Sequence, residues 1–179
     1  MKELVLKIFP EINGIKNSEL KDKTINTWIK AIKENGWSEQ DINEIPFTLL
    51  IENTKISIIE HTRGVTNTAL KIAESLKDSY KDNIKIDFDL LLSGAILHDV
   101  GKLYEYKKEN GKFVKSDLGI IVRHPISGAA VAYGEGLPFE IVHSIASHSK
   151  EGDFSKRTIE TIIIHHADFV NFEPFKYWG

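Results

Sequence analysis

The nine residues Gly94–Lys102, GAILHDVGK, set a histidine and an aspartate side by side at the end of an apolar run. Upstream, DFDLLLSGAILHD has helical periodicity: Leu91, Ala95 and His98 form one row, Leu92, Ile96 and Asp99 the next, and Gly101 supplies the stop. Both polar residues therefore fall on buried rows. An unpartnered carboxylate or imidazole in an apolar core costs several kcal/mol, whereas a divalent cation turns such groups into ligands.

The same pattern recurs outward from this stretch. In IIEHTRGVTNTALKIAESLKDSY, His61 shares a stripe with Val65, Ala69, Ile72 and Leu76, which puts it on the inner face of its helix. PFEIVHSIASHS aligns Ile141, Ile145 and His148 in one row. KRTIETIIIHHADFV puts Ile164 with Asp168, and His165 nearby; its β-branched content offers a strand as rival reading, but its length and flanking charges favour helix. Inward histidines and carboxylates on at least three helices are what a metal site in an all-α core requires. The one weak β signal is KKENGKFVKSDLGIIV, where Asn110-Gly111 suits a loop or small hairpin. Residues 1–50 read as short helices, with Ile25, Trp28, Ile29 and Ile32 at helical spacing before an Asn35-Gly36 stop. They are expected to form a small helical N-terminal cap on a main domain of residues 51–179.

Composition narrows the chemistry. The chain has 179 residues, 41% hydrophobic and 27% charged, as expected of one globular unit. A net charge of −3 gives no broad basic field for nucleic acid or acidic membranes. Cysteine is absent, so thiolate metal sites, disulfides and cysteine nucleophiles are excluded, and any metal must bind through His, Asp or Glu. The N-terminal apolar patch is broken by Lys7, Pro10 and Glu11, unlike a signal peptide, and no segment approaches the roughly 20 apolar residues of a membrane span. A cytoplasmic protein without membrane association is the expectation.

The order His61, His98-Asp99, Asp168 on successive helices resembles the HD superfamily of metal-dependent phosphohydrolases, and HDVGK resembles its HDIG variant; the likeness covers residues 55 to 172. It implies an all-α HD-domain bundle of six to eight helices. It further implies that His61, His98, Asp99 and Asp168 bind a first metal, with Asp99 able to bridge to a second. Members with two metals add two histidines between the HD pair and the final Asp, and His124 and His148 stand at fitting places. The implied cofactors are two divalent transition-metal ions, Mn or Fe favoured, with Ni, Co or Mg also suited to such ligands.

By the same resemblance the activity is hydrolysis of a phosphoester, a phosphodiester or cyclic phosphate of a nucleotide-like small molecule, by metal-activated water. Asp99 and Lys102 are the catalytic candidates, and Lys102, Arg63 and Arg123 the candidates for binding phosphate. The surrounding sequence looks closest to HD modules of bacterial 3' to 5' exoribonucleases and small cyclic phosphodiesterases. The exonucleases carry an OB-type domain for which this chain has no room, so nucleic acid is not favoured as substrate. Three other readings stay open: a single-metal nucleotidase acting on nucleoside monophosphates, a diiron oxygenase built on the same six ligands, and a non-catalytic signalling or binding module. His143 and His166 are expected to face away, and His165 to orient a ligand. Lys107, Lys108 and Lys112 read as an exposed loop within reach of an anion, with Tyr104, Tyr106 and Phe113 as ring-stacking candidates. The tail EPFKYWG reads as a surface or packing element.

Overall fold

The computed structural model describes residues 1–178. At its centre is α5 (Phe88–Leu97), started by Asp87, whose carboxylate accepts from the backbone N–H groups of Asp89 and Leu90. Apolar on every side, α5 is enclosed by α2 (Ser18–Glu34), α4 (Ile58–Tyr80), α9 (Phe139–Ser147) and α10 (Ile159–Trp178). With α8 (His124–Gly134), these are the six helices of nine residues or more among the described residues. Short helices fill the connections: α1 (Lys2–Ile8), α3 (Glu39–Glu44), α6 (Lys102–Glu105) and α7 (Asp117–Ile121), together with three 3-10 turns. The architecture is all-α, as expected, but with more helical pieces than the six to eight foreseen, because α1 precedes the long helices and the links between them wind into three more short ones.

TIETIIIHH lies inside α10, so its helical reading holds over the strand alternative. KKENGKFVK forms an antiparallel hairpin, β1 (Tyr106–Glu109) with β2 (Lys112–Lys115). Its turn residues Asn110 and Gly111 both have positive φ, 50° and 76°, as a tight two-residue hairpin turn requires.

Two apolar clusters flank α5. Val65, Ala69 and Ala73 of α4 meet Leu91 and Ala95 of α5 and Ile163, Ile164 and Ala167 of α10. The larger cluster joins Ile25, Trp28 and Ile32 of α2 to Leu92, Ile96 and Leu97 of α5 and Ile141 and Ile145 of α9. Residues 1–50 thus share a core with the helices that follow. Two indoles reinforce this junction: Trp28 Nε1 donates to the carbonyl of Ile96 at 3.1 Å, and Trp37 Nε1 to that of Leu103 at 2.8 Å. The Ile96 carbonyl belongs to the last turn of α5, which has no partner within its own helix. No helix among the described residues is long and apolar enough to cross a membrane.

Candidate metal centre

Helix ends deliver most of the polar residues. Ser57 caps α4 through a reciprocal box with Glu60, which fixes His61 in the first turn. His98 and His148 stand at the C-terminal ends of α5 and α9, and each donates from Nδ1 to the carbonyl three residues back, Ala95 or Ile145, at 2.7 Å. One bond satisfies an orphan carbonyl and fixes the ring, leaving each Nε2 directed away from the helix. His124 opens α8, immediately before Pro125. Glu105, buried in α6, accepts from both the backbone N–H and Nδ1 of His124, at 2.8 and 2.7 Å. Asp168 comes from the middle of α10.

His61, His98, His124, His148 and Asp168 converge around Asp99, whose two oxygens face different partners. Oδ2 lies 3.5 Å from His61 Nε2 and 3.3 Å from His98 Nε2, while Oδ1 lies 3.3 Å from His124 Nε2 and 3.8 Å from His148 Nε2. Asp168 Oδ1 joins the first set, 3.0 Å from His61 Nε2 and 3.9 Å from His98 Nε2. Two ligand triads result, His61-His98-Asp99 and Asp99-His124-His148, sharing one carboxylate. The Nε2 atoms of His98 and His148 are buried without a hydrogen-bond partner. Such atoms are costly in an interior, and a cation beside each would resolve the cost, so the donor set fits divalent metals.

Electrostatics agree with that fit. Burial alone would raise the Asp99 carboxyl, but the Lys102 ammonium, 2.6 Å from Oδ2, and His98 hold it well below the usual carboxylate range. Burial pushes the His148 imidazole down to about 3 and also lowers His61 against its bond to Asp168, so both rings are neutral at neutral pH; burial opposes charge on His98 too, but the Asp99 carboxylate beside it raises that ring. Burial opposes ionisation of Glu105, yet its bonds to His124 bring it to about 2, so it accepts as a full carboxylate.

Around the centre opens a cleft of about 370 Å³. His61, Asp99, His124 and Asp168 lie in it with Lys102, Lys115, Arg123, Lys150 and Lys176, which gather positive charge about the carboxylates. Lys102 is buried and also bonds the carbonyl of Phe47. Arg123 lines the cleft while pairing with Glu151 at 3.2 Å. Arg63 does not reach it: two residues beyond His61 is about 200° round a helix, and its guanidinium pairs with Glu11 at 2.9 Å instead. A more open hollow, lined by Lys77, Lys81 and Lys85, contains none of the histidines.

Of the other candidates, His165 Nδ1 donates to the carbonyl of His148 at 2.6 Å, His143 turns to Ser147, and His166 is exposed. Lys108 pairs with Asp41 and Glu44, and Lys107 with Asp117. Tyr106 lines the cleft, but Tyr104 donates to Glu34 and Phe113 lies against Trp37. Sequence reasoning missed Glu105, whose setting in KLYEYKK gives no sign of burial. It also missed Arg157, which donates to the Ser147 and Ser149 carbonyls on either side of His148, and the aromatic residues of α10 that line the cleft.

Comparison with known proteins places these features. Among curated proteins, dihydroneopterin 2',3'-cyclic phosphate phosphodiesterase of Methanocaldococcus jannaschii is 37% identical over 115 residues, which is 62% of this chain and 44% of that protein. Ribonuclease Y of Acidothermus cellulolyticus is 31% identical over 88 residues, 49% of this chain and 15% of the relative. The chain thus spans less than half the length of either. No solved structure gives a significant match. The HD domain family matches residues 58–170, a span that holds all six converging side chains, and the chain belongs to that family.

Proposed function

We propose that the protein is a metal-dependent phosphohydrolase that opens a phosphodiester or cyclic phosphate of a small, nucleotide-like molecule. The observation that carries this reading is Asp99, with one oxygen facing each histidine pair beside a cationic cleft. In it, His61, His98, Asp99 and Asp168 hold one divalent ion, and Asp99, His124 and His148 a second, Mn or Fe being favoured by the mixed nitrogen and oxygen donors. Divalent cations in such a site supply Lewis acidity and a water acidified toward neutral pH.

The chain's own residues do the rest. Burial opposes the charge on Lys102, but Asp99 keeps it protonated, so it sets an ammonium at the edge of the site. Arg123, with Lys115, Lys150 and Lys176 further out, draws an anionic ester inward and holds it. His165 steadies the backbone at His148, and Glu105 fixes the His124 ring. The archaeal relative is named for a cyclic phosphodiester, which supports the substrate class; involvement of His124 and His148 favours two ions over the single-metal nucleotidase.

The test is a chelator-treated sample assayed with nucleoside 2',3'-cyclic phosphates and bis-p-nitrophenyl phosphate before and after adding Mn²⁺ or Fe²⁺. Metal-restored hydrolysis is expected. A metal-loaded protein that consumes oxygen, or turns over no phosphoester, would overturn the reading. Glu105→Ala removes the acceptor of two His124 N–H groups and is expected to weaken binding of the second ion about 10- to 100-fold, measured by titrating free Mn²⁺. Unaltered affinity would remove Glu105 from the site.

A further inference from the structure

We propose that the distal half of α10 is a binding wall for a planar heterocycle of the substrate, with Phe172 and Tyr177 as the ring contacts. The inference rests on the phosphoester reading above and adds to it where the rest of the molecule sits. Asp168, Phe172 and Lys176 are spaced four residues apart on α10 and all line the cleft. At 1.5 Å per residue, Phe172 lies about 6 Å and Lys176 about 12 Å along the helix from the carboxylate at the centre. That is the separation expected between a phosphate and a ring joined through a sugar-sized spacer.

The wall is built rather than incidental. Phe47, fully buried, meets Phe172 edge-on at 6.1 Å and 67°, and its ring also lies 4.7 Å from that of His61. Phe172 is thereby packed against a buried ring that also touches a ligand candidate, whereas Tyr177, 62% exposed, lines the same cleft with its ring open to solvent. The Lys176 ammonium lies 5.8 Å from the Phe172 centroid and 5.1 Å from that of Tyr177, so the patch offers π faces and positive charge together. Leu49 and Leu50, the latter 76% exposed, add aliphatic surface to the cleft from the segment between α3 and α4. Glu173 lies in the same lining and disfavours a second phosphate there. An uncharged, flat group is the occupant these surfaces suit.

The experiment measures binding by calorimetry to metal-free, chelator-treated protein, with two probes: guanosine 2',3'-cyclic monophosphate and glycerol 1,2-cyclic phosphate, which lacks the ring. Unaltered protein is expected to prefer the guanosine probe. The ratio of the two affinities is expected to fall about tenfold in Phe172→Ala and in Tyr177→Ala, and to stay near its original value in Phe172→Trp. Tyr177 is exposed enough that its variant folds, which guards against a collapsed Phe172→Ala. No preference in the unaltered protein, or an unchanged ratio in both alanine variants, overturns the proposal. A ring preference that the variants abolish, in a protein that hydrolyses neither probe when metal-loaded, keeps the wall and removes the phosphohydrolase reading.

Discussion

Asp99→Asn is expected to reduce turnover on the order of 10³-fold or more while leaving the shape of the centre nearly unchanged. The substitution swaps one carboxylate oxygen for an amide nitrogen that has no lone pair to offer, so one of the two histidine pairs loses its shared ligand. Metal catalysis contributes several kcal/mol of charge stabilisation, and each 1.4 kcal/mol is a factor of ten. A second cost is independent of metal. Lys102 is buried with its ammonium 2.6 Å from Asp99 Oδ2, and removing one partner of a buried pair costs about 3–5 kcal/mol. The variant should therefore bind less metal per chain, by elemental analysis, and also melt lower in chelator. Full activity with full metal content would end the case for a shared carboxylate.

Gly101→Ala is expected to act first on stability. A Cβ at Gly101 would lie 2.0 Å from the carbonyl oxygen of His124 and 2.6 Å from the amide nitrogen of Gly128. Both are backbone atoms of α8, so no rotamer change relieves the overlap, and the helix must move. The φ of −64° is open to any residue, so close approach alone demands glycine here. Overpacking of this kind costs about 3 kcal/mol, which in a chain of this size lowers Tm by about 6–12 °C. Because His124 opens the displaced helix, the affinity for metal should fall as well. Gly134→Ala, at the far end of the same helix, meets only the flexible tip of Lys30 at 3.5 Å and should melt within a few degrees of the original protein. Equal melting of the two variants would refute the packing argument.

The helices and the inward faces of His61, His98, Asp99, His148 and Asp168 are legible because both depend on periodicity, whereas His124 is indicated by the family resemblance alone. An imidazole on the Val65-Ala69 row or the Ile141-Ile145 row has to point inward, and the HDVGK turn could be read from its glycine. What stayed hidden depends on contacts between distant segments. Arg63, a candidate for binding phosphate, sits two residues from His61, but helical rotation sends it to Glu11. Glu105 lies among exposed lysines in sequence and is buried only because α8 begins against it. The tail EPFKYWG reads as a surface or packing element because it holds no chemical feature beyond its aromatic residues; α10 continues through Pro174 and takes Lys176 and Tyr177 to the cleft. The paired use of His98 and His148, each tied to its own helix three residues back, leaves no trace in spacing alone.

The two indole donors have an architectural corollary. Trp28 and Trp37 pin the backbone at Ile96 and Leu103, the residues just outside the HDVGK turn, and neither tryptophan lies within the span matched by the family. Part of the anchoring of the turn that presents Asp99 thus comes from outside the family's matched span. Swapping this amino-terminal region for that of another HD protein would retune the stiffness of the turn without touching a single ligand.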